Sequence, residues 1–302
     1  MPQKRPVKVL RTLKENMSSV ERLKLTVLVD DSPNTNRRSL KAKHGLSLLI
    51  ETYAAGANLR ILVDTGPTPN ITLQNAGILD VDMKKIDLVA LSHGHYDHTG
   101  GLIEILKRIN RQVPVVAHPR AFNPKFAYKP GLKSIGAEFD QSLVIDAGGV
   151  LVLARNPVKM ADGAMMSGEI PRQTPFEKVK GFWTIKDGCF VADHIIDDQA
   201  LFVNIMNQGL VTITGCAHSG IINTVRHGQR ITGIESVYAI IGGLHLEKMD
   251  ESRIRASVDE LSRINPRVIY PCHCTGSKAI EQLLDSFENR CRPLRTGDIL
   301  EL

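Results

Sequence analysis

The stretch 90–101, ALSHGHYDHTGG, places four metal-binding side chains within six positions and closes with two glycines. These side chains are His93, His95, Asp97 and His98. The run before them, IDLVALS at 86–92, is apolar in the manner of a strand buried on both faces. A loop leaving that strand can direct its first two histidines to one side and Asp97 with His98 to the other. Zinc and related metals bind imidazole nitrogen and carboxylate oxygen, so the stretch predicts two metal positions.

Two other interpretations of this stretch require fewer metal ions. A histidine-rich surface loop would need no ion, but it has no reason to follow a buried strand with four ligand side chains. A single structural zinc is the stronger alternative, although structural sites draw mostly on cysteine and close all four coordination positions. The sequence therefore favours a catalytic two-metal site.

Three apolar runs farther along the chain also end in candidate ligands. They are LVTITGCAHSG (210–220), VYAIIGGLHLE (237–247) and RVIYPCHCTG (267–276). Strands that end at one edge of a sheet bring their loops together, so we expect these ends to converge on the first cluster. His218 and His273 are predicted metal ligands, whereas His245 is predicted to transfer a proton or contact substrate at the rim. The remaining histidines have no partners in sequence and are predicted to be structural or solvated: His44, His118, His194 and His227.

The order of predicted elements indicates a mixed α/β fold. Strands with turn-forming ends dominate the first half, and helices with apolar residues at i, i+3, i+4 and i+7 follow. The predicted strands include 23–31, 45–53, 59–67 and 86–92, and the predicted helices are 99–110, 251–265 and 277–290, the last with Ser277 as N-cap. Two sheets packed face to face with helices outside would bury both halves in one core.

Composition places few further limits on function. The 302 residues are 42% hydrophobic and 23% charged, typical of a globular protein. No apolar run approaches the roughly 18 residues of a membrane span, and the first residues lack a secretory signal, so we expect a cytoplasmic protein. The chain has five scattered cysteines and no CxxC pair, so we expect reduced thiols and no disulfide framework. A homodimer is compatible with this size.

The formal charge of +6 is concentrated in two places. Residues 1–20 form a predicted basic tail, and 21–302 a predicted single domain. The second basic cluster includes Arg37 and Arg38, which are expected either to contact a phosphorylated substrate or to be solvated. Aromatic residues are only 5% of the chain, so base-stacking surfaces for single-stranded nucleic acid are not expected.

These segments together resemble the metallo-β-lactamase superfamily. SHGHYDHTGG at 92–101 resembles its HxHxDH signature, and LVDTG at 62–66 resembles its first motif, whose aspartate, here Asp64, holds ligand histidines by hydrogen bonds. The resemblance implies an αββα sandwich of two mixed sheets flanked by helices, with metals at one edge. The segments VLVDD, KHGLSLLIE, TGCAHSG, GGLHL and PCHCTG resemble a subgroup of metal-dependent hydrolases related to a dihydropteroate-synthase-like archaeal enzyme.

One departure from the superfamily pattern concerns the second metal. Most members carry Gly-Asp where this chain has Gly215-Cys216, and that aspartate bridges the two metals. Cys216 could bridge as a thiolate, which favours softer metals, or His218 could take a ligand position instead. A third interpretation makes Cys216 a small buried side chain beside the site.

The predicted centre holds two divalent ions, zinc in the first place and manganese or iron as alternatives. The expected ligands are His93, His95 and His218 for one ion and Asp97, His98 and His273 for the other, with Cys216 as a further candidate. Two ions sharing a water would lower its pKa to near 7, which predicts hydrolysis of a small polar, phosphorylated substrate. Asp97 is expected to double as a proton acceptor, and His245 or Glu169 to serve the leaving group.

The subgroup resemblance implies a second function of another class. A synthase would use the same metals to bind the diphosphate of a hydroxymethyl-dihydropterin while an arylamine, a ribofuranosyl-aminobenzene phosphate, displaces it. Arg37, Arg38 and Arg172 would then hold phosphate groups. A non-enzymatic nucleotide- or nucleic-acid-binding protein is a third hypothesis, resting on the pI near 9.1. The segment 120–177 is predicted either as a substrate lid or as a surface loop.

Overall fold

The computed structural model describes residues 17–55, 57–128 and 131–302. The predicted basic tail therefore lies outside the described residues up to residue 16. Residues 17–20 lie against the rest of the chain, because Val20 is buried and its backbone N–H donates to the carbonyl of Asn204 at 2.8 Å. In these described ranges no helix combines the length and apolarity needed to cross a membrane.

Short strands make up most of the regular structure. In chain order the strands are β1 (Arg22–Val29), β2 (Ser47–Ala54), β3 (Ala57–Val63), β4 (Leu88–Ala90), β5 (Val113–Ala117), β6 (Lys125–Tyr128), β7 (Leu132–Ser134), β8 (Gly149–Leu153), β9 (Val158–Ala161), β10 (Ala164–Met166), β11 (Phe182–Lys186), β12 (Cys189–Ala192), β13 (Ala200–Ile205), β14 (Gly209–Thr214), β15 (Val237–Gly243), β16 (Val268–Cys272) and β17 (Ile299–Glu301). The strands predicted from apolar runs are confirmed.

Helices connect and cover these strands. They are α1 (Pro69–Ile78), α2 (Tyr96–Thr99), α3 (Leu102–Ile109), α4 (Gln141–Asp146), α5 (Ile221–Thr232), α6 (Glu251–Ile264) and α7 (Ser277–Phe287). The predicted helices correspond to α3, α6 and α7. The predicted N-cap of α7 was wrong by one residue, since Gly276, at φ 79°, precedes the helix and Ser277 is its first residue.

Two large sheets pack face to face. Within the described residues, the first has the order β17-β1-β2-β3-β4-β5-β8 and the second β16-β15-β14-β13-β10-β9. Side chains alternate along each strand. Leu23, Leu25 and Val27 of β1 therefore enter the core between the sheets, whereas Leu28 faces the outer side. Strands buried on both faces explain the continuous apolar runs of the sequence.

Helices close both outer faces. Buried residues of α1, α3 and α4 pack on the first sheet, and those of α5, α6 and α7 pack on the second. At about 25 cal/mol for each Å² of apolar area removed from water, these layers supply the main driving force for folding. The four layers form the expected αββα sandwich, so the predicted fold class is confirmed.

Parallel strands bring the candidate site together. In the first sheet β3, β4, β5 and β8 run parallel, and in the second β14, β15 and β16 do so. Parallel strands present all their carboxyl ends at one edge of the sheet, where ligand sites form. The loops after β4, β14, β15 and β16 carry the four segments that were singled out in the sequence.

A third, smaller sheet has the order β12-β11-β6-β7. Its strands β6 and β7 belong to the segment 120–177, which was predicted as a lid or a loop. The same segment also supplies β8 to the first sheet and β9 with β10 to the second. Its proline and glycine content gives no clear strand signal, and its short strands pair with neighbours, as β6 does with β7, and with distant strands, as β6 does with β11.

Candidate metal centre

The ligand loop starts where β4 ends. His93, His95, Asp97 and His98 are all buried there, and the last two belong to the single turn α2. The glycines that follow allow close backbone approach, because a Cβ on Gly100 would lie 2.2 Å from the carbonyl oxygen of Pro67. Larger residues would push the loop away from the end of β3.

Three imidazoles form a first group of nitrogen atoms. His93 Nε2 lies 3.0 Å from His95 Nδ1 and 3.2 Å from His218 Nε2. A four-coordinate ion with bonds of about 2.0–2.1 Å holds its nitrogen ligands roughly 3.3 Å apart. The three nitrogens therefore fit an ion that keeps a position for another ligand.

A second group combines imidazole, carboxylate and thiol. His98 Nε2 lies 3.2 Å from His273 Nε2, and Asp97 Oδ2 is 3.6 Å from each of these nitrogens. Cys216 Sγ is 3.2 Å from His98 Nε2. All four side chains are of kinds that zinc accepts as ligands.

Cys216 also lies close to the first group. Ligand atoms of His93, His98 and Cys216 are all within 4.8 Å of one another. The thiol thus stands between the two groups, in the place where the superfamily resemblance implies a bridging aspartate. This location favours a ligand role for Cys216 over a packing role.

Asp64 and Ser92 orient one histidine from each group. Asp64 Oδ2 is 2.6 Å from His98 Nδ1 and accepts from Ser92 Oγ at 2.6 Å, while Ser92 Oγ contacts His93 Nδ1 at 2.9 Å. Such partners fix the tautomer and ring orientation of a ligand histidine. Gly215 is required beside them, since a Cβ there would lie 2.0 Å from Ser92 Oγ.

His44 and Asp31 belong to the site, although His44 was predicted to be structural or solvated. His44 Nδ1 lies 2.8 Å from Asp31 Oδ2 and its Nε2 lies 3.3 Å from Asp97 Oδ2. Asp31 also accepts from His273 Nδ1 at 2.7 Å. The KHG and VDD motifs were visible in the sequence, but only the fold shows that they meet.

The first group is poised to bind metal at neutral pH. Burial lowers the pKa of His95 to about 3 and lowers those of His93 and His218 well below the ordinary value. Metals bind neutral imidazole, so these three residues need to lose no proton near pH 7. Burial opposes ionisation of Asp97, but His98 and His273 outweigh it and lower the pKa of that carboxyl.

A cavity of about 410 Å³ opens over these residues, a size typical of small-molecule sites. Ligand candidates from both groups line it, and His44 and His245 join them. The rest of the wall consists of the thiol of Cys274 and of apolar, aromatic and charged side chains: Tyr96, Ala127, Ile135, Phe182, Met249, Lys180, Glu247 and Lys248.

The third sheet forms one side of this cavity. The ring of Phe182, at the start of β11, lies 5.3 Å from His95 and 5.4 Å from His218. His245 stands beside them, with its ring 4.2 Å from that of His218, and its buried Nδ1 has no hydrogen-bond partner among the residues that the structure describes. The structure thus places His245 at the cavity wall.

A buried ion cluster ties the third sheet to the ligand loop. Lys125 in β6 is 2% exposed, and its Nζ donates to Asp197 Oδ1 at 2.7 Å and to Asp193 Oδ2 at 3.2 Å. Asp197 Oδ2 accepts from the backbone N–H of Gly94 at 2.8 Å. Sequence reasoning missed this cluster, because no spacing relates Lys125 to Gly94.

The four predicted substrate residues do not line the cavity. Arg172 donates to the carbonyl oxygens of His218, His194 and Ile195, so its guanidinium supports the His218 loop. Glu169 lies 3.0 Å from His118 Nε2 and 3.7 Å from Arg155. Arg37 donates to the carbonyl of Gly297, and Arg38 is exposed.

Fold and site together define a class, the metal-binding enzymes of the αββα sandwich. The sequence matches the family described as "Metallo-beta-lactamase superfamily" over residues 41–188. The chain is 35% identical over 293 residues to 7,8-dihydropterin-6-methyl-4-(beta-D-ribofuranosyl)-aminobenzene-5'-phosphate synthase of Methanocaldococcus jannaschii, covering 95% of this chain and 99% of that protein. This protein belongs to the metallo-β-lactamase superfamily and is an enzyme.

Solved structures agree with this assignment. Tm1679, described as a metal-dependent hydrolase of the beta-lactamase superfamily, is similar with a TM-score of 0.78 and 27% identity, covering 93% of this chain and 99% of that one. The metallo-beta-lactamase fold protein YhfI from Bacillus subtilis has a TM-score of 0.58 at 13% identity, over 93% and 100% of the two chains. The second likeness concerns the fold alone.

Proposed function

We propose that this protein is a metal-dependent synthase that joins a hydroxymethyl-dihydropterin to an arylamine, with diphosphate as the leaving group. The observation that carries the proposal is the 35% identity, over nearly the full length of both chains, to a synthase whose name describes such a conjugate. This identity favours the synthase reaction over the hydrolysis that the sequence alone predicts.

The cavity supports a phosphorylated substrate. Lys180 and Lys248 line it, and neither has a hydrogen bond or ion pair to another side chain in the part of the chain that the structure describes. Ammonium groups bind phosphate as compact positive charges. These lysines take over the role that was predicted for Arg37, Arg38 and Arg172.

We propose two divalent ions at the centre, zinc in the first place, with manganese or iron as alternatives. The first ion would be held by His93, His95 and His218, and the second by Asp97, His98, His273 and Cys216. Bound ions would supply positive charge that stabilises the oxygens of the departing diphosphate. The superfamily fold implies metal binding, and the nitrogen separations near 3.2 Å support this assignment.

The protein's own residues would orient the reaction and move one proton. The arylamine nitrogen bonds to the pterin methylene carbon as the carbon–oxygen bond to diphosphate breaks, and the nitrogen then loses a proton. His245 is the proposed acceptor, because it lines the cavity and its buried Nδ1 has no hydrogen-bond partner in the described part of the chain. Phe182 would exclude water, which would otherwise compete with the amine.

Hydrolysis is the second candidate, and the likeness to Tm1679 favours it. The same residues would then serve attack by water on a small phosphorylated substrate, with His245 delivering a proton to the leaving group. The non-enzymatic hypothesis is set aside, since the near full-length relative is an enzyme. We propose the cytoplasm as the compartment, and the five free thiols support it.

A mass-spectrometric assay separates the two reactions. Metal-loaded protein is incubated with hydroxymethyl-dihydropterin diphosphate, with and without ribofuranosyl-aminobenzene phosphate, and His95→Ala is the control. The pterin–arylamine conjugate is expected from the unmodified protein alone. Release of hydroxymethyl-dihydropterin without a conjugate would overturn the synthase proposal and support hydrolysis.

A further inference from the structure

Glu247 is an unpaired carboxylate in the wall of the cavity. It follows β15, its side chain is exposed, and among the described residues no hydrogen bond or ion pair engages its carboxylate. An acidic group is unexpected there, because the proposed leaving group and the arylamine phosphate are both anionic. A substrate group that donates hydrogen bonds would match this carboxylate.

The backbone around Glu247 is held against the His273 turn. The N–H groups of Leu246 and Glu247 both donate to the carbonyl of Cys274, each at 3.1 Å. Gly276 makes this approach possible, because a Cβ there would lie 2.5 Å from the Cα of Glu247. His245 adopts φ 50°, an uncommon backbone conformation for a residue other than glycine. The backbone of Glu247 is therefore held beside the turn that carries His273, and its side chain extends from there into the cavity wall.

The chemistry of a pterin matches this carboxylate. One edge of its pyrimidinone ring presents two parallel donors, the exocyclic amine and the adjacent ring N–H. A carboxylate has two acceptor oxygens and can take both, and hydrogen bonds to an ionised acceptor are stronger than neutral ones. Apolar side chains in the same wall, Phe182 and Met249, suit the faces of a flat ring.

We propose that Glu247 determines specificity for the pterin by accepting hydrogen bonds from its amine and ring N–H. The inference rests on the proposed function, because it identifies which part of that substrate the wall recognises. Lys180 and Lys248 would then bind the phosphate groups of the substrates, and Glu247 would bind the hydrogen-bond donors of the pterin ring.

Binding of hydroxymethyl-dihydropterin without its diphosphate, measured by calorimetry on the metal-loaded protein, tests the proposal independently of turnover. Glu247→Gln is expected to weaken binding about tenfold or more, because a charged hydrogen-bond pair is replaced by a mismatched amide. Glu251→Gln is the matched control, since Glu251 is exposed on α6, outside the cavity wall, and forms an ion pair with Arg255 at 3.7 Å.

A pterin analogue with oxygen in place of the exocyclic amine allows a double-mutant cycle between the ligand and Glu247. The unmodified protein is expected to bind the analogue about tenfold more weakly than the pterin, and Glu247→Gln to lose or reverse this preference, because its amide can donate to the new oxygen and accept from the ring N–H. Glu247→Gln should also raise the KM for the pterin diphosphate while leaving the KM for the arylamine unchanged. A role of Glu247 in stability alone would change both KM values or neither.

The outcomes separate this proposal from the proposed function. Conjugate formation with unchanged pterin affinity in Glu247→Gln overturns the role of Glu247 and leaves the synthase standing. Pterin binding that depends on Glu247, without conjugate formation, supports the recognition and overturns the synthase. If the protein neither binds the pterin nor forms the conjugate, the role of Glu247 and the synthase function are both overturned.

Discussion

Cys216 Sγ lies 3.2 Å from His98 Nε2, at the point where the two groups of metal-ligand side chains meet. We propose this thiol as the counterpart of the aspartate in the superfamily pattern, where it would complete the second group as a fourth ligand. The two groups therefore differ in chemistry, since one offers three imidazole nitrogens and the other combines imidazole, carboxylate and thiol.

Replacing Cys216 with serine is expected to remove one ion per chain, because a hydroxyl is a poor substitute for thiolate. Elemental analysis of the purified protein measures the loss, and cobalt loading should show a thiolate-to-cobalt absorption band that Cys216→Ser abolishes. Cys189→Ser is the control, since Cys189 is exposed. Two ions retained with an unchanged cobalt spectrum would return Cys216 to a packing role.

Replacing Asp64 with asparagine should weaken both metal positions. Asp64 orients His98 directly and His93 through Ser92, and loss of such a partner typically costs 10- to 100-fold in metal affinity. Competition with a coloured chelator gives the affinity. Asp259→Asn, on the exposed face of α6, is the control, and equal affinities in the two variants would contradict the orienting role.

The depressed pKa of His95 predicts that the metal-free protein loses stability in acid. Between pH 6.5 and about 3, His95 is protonated in the unfolded state but not in the folded state. The free energy of unfolding therefore falls as the pH falls. The contribution reaches about 1.4 kcal/mol for each pH unit. Urea unfolding from pH 7.5 to 5 should therefore show a shallower pH dependence for His95→Gln than for the unmodified protein. Parallel curves would show that His95 is protonated in the folded state.

Replacing Lys125 with methionine should destabilise the protein and disturb the ligand loop. The change leaves Asp193 and Asp197 without their cation, and an uncompensated buried charge costs about 3–5 kcal/mol. Urea unfolding measures the loss. The double variant Lys125→Met with Asp197→Asn is expected to recover part of it, and a double variant as unstable as the single one would exclude the charge as the cause.

Much of the fold was predictable because its signals are local. Apolar runs and helical spacing identified β1–β4, α3 and α6, and the burial of Leu102, Leu106 and Ile109 agrees with that spacing. The small sheet was not predictable, since β6 and β11 are short, half-exposed and separated by more than fifty residues. Each has a neighbouring hairpin partner, and the distant pairing of β6 with β11 joins the two hairpins into one sheet.

The sequence by itself determined which residue types could bind metal, because four of them are adjacent in the chain and the others follow apolar runs. Tertiary structure alone decided the rest of the site. It placed Cys216 between the two groups, brought His44 to Asp97, and put Glu247 and Phe182 on the cavity wall. The reason is physical: ligand spacing is local along the chain, whereas contacts between side chains tens to hundreds of residues apart depend on how the two sheets pack.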